Sequence, residues 1–492
     1  MKTSTTLTVA LFILSVFSDA GAYELIGDSD DFDALDAGDD HAAAIDISND
    51  GKYISVGSPH AGANTQGQVK VYKSTVNEDG SVVWDQFGNT VTGKRPAQHV
   101  GISVSISYDA TRLVVGSLFD DSSMGSISIF RYLESKNEWK WMSTINGTES
   151  GEMFGSNVDI TSNGRKVAAS SKKYVQVYKC FAKSCVTNGK RIDLPEKYNV
   201  RDVAIASGGQ SLVIGAGGKA EDAETLAGKV LVYTFDETTQ DWVSKQIIDG
   251  ANEERAGFSV SISEDNKTIN VAYSTPTSSC ASTNLPNDKI NCGGVDFFTS
   301  TDRGETFQET DNNIKGIDIN GFLGLTIDLS VNGQVITASS RGPENQALFN
   351  VYSKNESTGV WNLEQQIEPG GSLAGSDAIN SRLSFNGQRI VNVSPGLTST
   401  TNTVNVFDNT SQAQPSTGQD LTTRPTITTV PSASQFPTTR PSISTAPSTS
   451  QSPISLFSKS SKSKKAKGKG KGSKSEKSSK GTKASKGPKN RQ

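Results

Sequence analysis

The chain has 492 residues, 34% of them apolar, a formal charge of -4 and a mean hydropathy of -0.42. That length admits several ordinary domains or one large repeat domain. The low hydropathy averages two regimes, an apolar-patterned body and a polar C-terminal region beginning near Ser411, and excludes one uniformly packed core running the length of the chain.

Residues 1–22 carry Lys2, an apolar run from Leu7 to Phe17 and the small-residue pattern Ala20-Gly21-Ala22, the layout of a secretory signal peptide. The mature chain is expected to start near Tyr23. The leader run is short for a mature membrane helix, and no later stretch approaches about eighteen apolar residues, so no membrane span is expected. Asp28, Asp30, Asp31, Asp33, Asp36, Asp39 and Asp40 follow. Clustered carboxylates suit a hard cation such as calcium, but the spacing matches no EF-hand, and the expectation is a solvated acidic linker.

From residue 23 to 410 one phrase recurs: an apolar alternating run closed by a hydroxyl residue, a turn, then a second β-rich run ending in small residues. Aligning the hydroxyls gives Ser48, Ser107, Thr161, Ser207, Ser263, Ser330 and Ser384, spaced 59, 54, 46, 56, 67 and 54 residues apart. Period-two alternation marks strands, and Asn163-Gly164, Asn332-Gly333 and Asn386-Gly387 mark tight hairpins. A third strand follows in each unit, near Val69, Ile127, Val175, Val230, Val295, Val351 and Val406. A fourth begins at Trp84, Trp139, Trp242 and Trp361, whose regular placement predicts packing between units. Four antiparallel strands per unit define a blade, so the expected fold is an all-β propeller, most simply of seven blades with six or eight as alternatives. The seventh unit has no evident fourth strand, and Tyr23-Glu24-Leu25-Ile26-Gly27 is expected to supply it.

Gly257-Phe258-Ser259-Val260 and Val56-Gly57-Ser58-Pro59 resemble the FG-GAP repeats of integrin-alpha-type β-propellers. The turns carry too few acidic residues for that family's calcium loops, so no calcium site is carried over. No catalytic residue, metal site or cofactor is expected. His41, His60 and His99 fall in loops without a nucleophile motif, and Gly215-Ala216-Gly217-Gly218 lacks the helix a phosphate loop needs. Ser300-Thr301-Asp302-Arg303-Gly304-Glu305-Thr306-Phe307 resembles the Asp box of sialidase-like propellers, which implies a structural role for Asp302 in a hairpin turn.

Cys180 with Cys185 and Cys280 with Cys292 form two close pairs, expected to be disulfides of an oxidising compartment. Sequons stand at Asn146, Asn266, Asn355, Asn392 and Asn409 and are candidate N-glycosylation sites.

Residues 411–456 are rich in Ser, Thr, Pro and Gln, with Arg424-Pro425-Thr426-Ile427-Thr428-Thr429 echoed at Arg440-Pro441-Ser442-Ile443-Ser444-Thr445. Such composition cannot bury enough apolar surface to fold, which predicts an extended linker. Residues 457–492 carry a net charge of +13, leaving -17 for residues 1–456. Within this basic tail Lys471, Lys474, Lys477, Lys480, Lys483, Lys486 and Lys489 recur every third residue among Ser, Gly, Thr and Ala. This register resembles the lysine clusters of silaffins and related diatom silica-matrix proteins. The resemblance implies a disordered tail that binds silica or another polyanion, with phosphorylated serines as counter-anions and polyamine-modified lysines. A loosely adhesive tail for anionic polysaccharide is the plainer alternative.

The whole reads as a secreted protein of an extracellular matrix or cell wall that acts by binding, the tail on silica or anionic polysaccharide and the propeller on protein or glycan. A nucleic-acid partner would contradict the leader. The alternative is a secreted glycan-processing (sialidase-like) enzyme or an integrin-like adhesion protein, which acids or arginines converging on one propeller face would favour.

Overall fold

The computed structural model describes residues 22–410 apart from 28–30, 33–42, 120–122, 219–226, 252–253, 266–267, 280–290, 319, 343–345, 369–379 and 396–401. Seven antiparallel sheets stand around a common axis, as the repeat predicts. Their inner strands are Ala44–Ile47, Val100–Ile106, Val158–Ile160, Tyr198–Ile205, Val260–Asp265, Ile327–Leu329 and Asn380–Leu383, one for each of blades 1 to 7. The ring closes as expected. Tyr23–Leu25 pairs antiparallel with Asn402–Asn409 and becomes the outer strand of blade 7.

The repeated hydroxyl earns its place in the first hairpin of each blade. Ser48 Oγ donates to Asp50 (2.6 Å) and accepts the Tyr53 backbone N–H (3.0 Å), while Asp50 accepts the Lys52 N–H (3.1 Å). The same hydroxyl-to-carboxamide or carboxylate turn occurs at Ser107/Asp109, Thr161/Asn163, Ser330/Asn332 and Ser384/Asn386. Side-chain oxygens here satisfy backbone donors that a two-strand turn leaves unpaired. Blade 4 corrects the alignment. Ala206, not Ser207, holds the equivalent position, because Ala206 N–H donates to Ser211 O (2.9 Å) as Ser48 N–H does to Tyr53 O (2.8 Å).

Each seam between neighbouring blades holds its own apolar cluster, seven in all. Across the seam of blades 1 and 2, for example, Val69, Val71 and Val91 meet Val104, Leu113, Val115 and Trp139. The tryptophans do pack between blades. Trp139 Nε1 donates to Phe87 O (2.9 Å) and Trp242 Nε1 to Asn188 O (2.8 Å), each reaching into the preceding blade. Glycine permits the closest approaches: a Cβ on Gly57 would sit 2.1 Å from Gly101 O of the next blade, and one on Gly215 would sit 2.0 Å from Gly257 O. At the closing seam Arg389 of blade 7 forks onto Asp408 (2.5 and 2.6 Å) and also donates to Gly51 O of blade 1 (2.8 Å).

The outer edges alternate in form. Blades 1, 3 and 5 split the fourth strand into two short pieces, while blades 2, 4 and 6 keep one strand with a register shift. Blade 3 carries the disulfide Cys180–Cys185 across its outer hairpin, which confirms one expected pair. Cys292 is also disulfide-bonded, and Cys280 lies outside the described residues.

Candidate functional site: the axial channel

The inner strands are pleated, so alternate side chains point at the axis. Two residues before the hydroxyl, that inward position is Asp46, Ser105, Asp159, Ala204, Ser261, Asp328 and Arg382 in blades 1 to 7, counting from Ala206 in blade 4. In blade 4 the carboxylate stands one pleat further along the same inward face, at Asp202. These residues line a cavity of about 230 Å³ on the axis.

Every seam is tied along these inner strands by a side chain of one blade bonded to the backbone of the next. Asp46 accepts the Ile106 N–H (2.8 Å), Ser105 the Ile160 N–H (3.2 Å), Asp159 the Ile205 N–H (2.7 Å) and Asp202 the Val260 N–H (3.0 Å). Ser261 accepts the Leu329 N–H (3.0 Å) and Asp328 the Leu383 N–H (2.7 Å). Asn380 completes the circle by donating to Ala43 O (2.9 Å). The second carboxylate oxygen is engaged as well: Asp46, Asp159 and Asp202 each accept the N–H of the following residue, and Asp328 accepts from Ser261 Oγ (3.1 Å).

Arg382 is the one cation among the described residues lining the cavity. Burial works against its charge, and the attraction of Asp328, Asp46, Asp202 and Asp159 outweighs that and holds the guanidinium protonated. Burial pushes all four carboxyls upward against the pull of Arg382 and of their N–H donors, Asp159 to about 7 and Asp328 to about 6. Asp46 raises both Asp159 and Asp328 further by like-charge repulsion.

The convergence of four carboxylates on one arginine was not foreseen from the sequence. Its geometry is that of clasps rather than of a catalytic pair with a free acid: both oxygens of each aspartate already accept hydrogen bonds from the protein. Among the described residues no group of three or more His, Cys, Asp or Glu is placed to hold a metal ion.

The other expected residues fall as follows. Asp302 sits in its hairpin as the Asp-box resemblance implies, accepting from Ser300 Oγ (2.7 Å) and from Thr306 N (2.9 Å) and Oγ1 (2.6 Å), which hold its carboxyl down at about 2. Of the acidic stretch, Asp31 accepts the Trp84 N–H (3.1 Å) and its neighbour Phe32 is buried against Tyr72 and Trp84; the other six acids lie outside the described residues. His60 and His99 meet edge to face with ring centres 4.5 Å apart, and Phe119 packs on His99 at 4.8 Å. His41 lies outside the described residues.

Asn146 and Asn355 are exposed, and Asn409 is half-buried beside Tyr23. Asn392 corrects the sequon list: it lies in the middle of a central strand of blade 7 with no exposed surface, so the folded blade has no room for a glycan there. Asn266 and the seven spaced lysines from Lys471 to Lys489 lie outside the described residues, and no helix among those described is long and apolar enough to cross a membrane.

No protein-family model matches the sequence, and no curated protein matches it. Solved structures with a similar fold include hydrazine synthase of Kuenenia stuttgartiensis, at 13% identity and TM-score 0.46 over 75% of this chain and 96% of that one. A proposed 6-phosphogluconolactonase from Bacteroides fragilis NCTC 9343 shows 13% identity and TM-score 0.47 over 72% and 93%. The Cps50 (Swd1) β-propeller domain of Myceliophteria thermophila shows 12% and 0.45 over 76% and 99%. By its own sheet topology the chain is a seven-bladed β-propeller with a further C-terminal region. At such distances no activity or partner passes from these structures to it.

Proposed function

We propose that this chain is a secreted scaffold protein of a mineralised extracellular matrix or cell wall, acting by binding rather than by catalysis. Its basic tail contacts silica or another polyanion and its propeller carries protein or glycan contacts. The observation that carries the reading is the strict three-residue spacing of Lys471 to Lys489 in a tail of charge +13. Ammonium groups at that density bridge ionised silanols and raise the local concentration of anions. The disulfide-bonded cysteines agree with an oxidising, secretory route. A propeller tied at every seam is suited to presenting loops on a rigid frame.

Kinship with integrin-alpha-type propellers is supported by a motif repeated at the start of, or just before, four inner strands. An apolar residue and a glycine stand at Val100-Gly101, Phe154-Gly155, Ala256-Gly257 and Leu323-Gly324, and each pair is preceded by a residue at positive φ: His99, Met153, Arg255 and Phe322. The convergence of acids and an arginine in the channel is the feature an enzyme reading would draw on. The full engagement of the carboxylates by backbone and hydroxyl donors favours the structural role.

Two fluorescent fusions expressed in a silica-forming cell, one full length and one ending at Pro453, test the proposal. Retention of only the full-length fusion on acid-cleaned walls is expected. Equal retention of both, or none of either, would return attention to the propeller face.

A further inference from the structure

The axial cavity gathers more negative charge than its single cation balances. Asp46 of blade 1, Asp159 of blade 3, Asp202 of blade 4, Asp328 of blade 6 and Arg382 of blade 7 are the charged and titratable groups facing it among the described residues. Blades 2 and 5 add hydroxyls, with Ser105 donating to Asp46 (3.0 Å) and Ser259 to Asp202 (3.0 Å), and no charge. The four carboxylates belong to the same hydrogen bonds that join blade 1 to 2, 3 to 4, 4 to 5 and 6 to 7. Folding therefore removes them from water together and sets them around one guanidinium. The unfolded chain lets them ionise apart.

We propose that this ring is a proton-linked lock: the propeller takes up protons as its blades close, and the closed ring is firmer in mildly acidic medium than in neutral or alkaline medium. A carboxyl protonated on Oδ1 keeps Oδ2 as the acceptor for the N–H of the next blade, so the clasp survives at the expense of the bond that Oδ1 accepted, while the mutual repulsion falls. The direction follows from the raised carboxyls. Their stabilising contribution is complete below the unfolded carboxyl range and is lost as pH rises through the folded values, about 6 for Asp328 and about 7 for Asp159. Asp302, held down by its hairpin, works in the opposite sense and far below this window.

The test is the denaturant midpoint of the full secreted chain between about pH 5 and pH 8, for the parent, Asp159→Asn, Asp328→Asn and the hairpin control Asp302→Asn. For each proton taken up on folding, the folded-to-unfolded ratio of the parent is expected to fall about tenfold per pH unit. Asp159→Asn and Asp328→Asn are each expected to flatten that slope, and Asp302→Asn to leave it unchanged. A parental slope shared by all four proteins, or a parent that gains stability toward pH 8, would overturn the proposal. If an axial variant does not fold, carboxyl NMR titration of the parent decides: at least one aspartate titrating above about pH 5.5 is expected, and all titrating below about pH 4.5 overturns it.

Discussion

The polar axis and the apolar seams hold the same seven blades together by different physics. In the seams, side chains such as Phe349, Ile214 and Leu113 lose essentially all contact with water, and their stabilisation scales with buried area and is indifferent to pH. On the axis, directional bonds from Asp46, Asp159, Asp202 and Asp328 fix how each blade stands on the next, at the cost of desolvating charge. The contrast teaches that blade packing alone supplies adhesion between sheets. The inner ring supplies register, and a sensitivity to protons that the seams lack.

Four substitutions break or sharpen that contrast. Phe349→Ala, in the seam of blades 6 and 7, is expected to cost about 4 kcal/mol, equally at acidic and alkaline pH, when unfolding is followed in denaturant. Arg382→Gln removes the one cation of the cavity and is expected to cost about 3 kcal/mol at pH 8, and clearly less at pH 5, where protonated carboxyls no longer need it. An equal cost at both pH values would place Arg382 with the seams. Trp139→Phe keeps the ring but deletes the indole N–H, leaving Phe87 O without its donor, and is expected to lower stability by roughly 1–2 kcal/mol without a pH slope. Asp302→Asn has the smallest effect, a small loss that is constant from mildly acidic to alkaline pH and fades only in strong acid, because the hairpin's contribution is present above the unfolded carboxyl range and is lost as pH falls through about 2.

The same division separates what was legible in the sequence from what was not. Blade number, hairpin positions and ring closure by Tyr23–Leu25 follow from local patterns: period-two alternation, and a hydroxyl that caps a turn within five residues. Inter-blade packing of the tryptophans follows from their regular position in the repeat, at the start of the fourth strand. The axial ring is a relation between blades about fifty residues apart, and each of its members reads in isolation as an ordinary polar position in an alternating strand. The available signal was the column itself. With the seven units stacked, Asp46, Ser105, Asp159, Ser261, Asp328 and Arg382 fall two positions before the hydroxyl, among apolar neighbours. Blade 4 hid its member because Ser207 drew the alignment one residue too far and because Asp202 stands four positions, not two, before Ala206. Asn392 was misjudged for a related reason, since a sequon match carries no information on whether its strand is central or exposed.

The tail is legible in another way, through charge and spacing rather than packing, and the central claim rests on it. The most direct measurement is adsorption to silica particles at fixed ionic strength of the full chain, the chain ending at Pro453, and a full-length variant in which the lysines of residues 471–489 are kept in number but shuffled out of the three-residue spacing. Strong adsorption of the full chain, loss on truncation and weakening on shuffling are the expected results. Adsorption of the truncated chain equal to that of the full one would contradict the account, because the propeller and not the tail would then be holding the mineral.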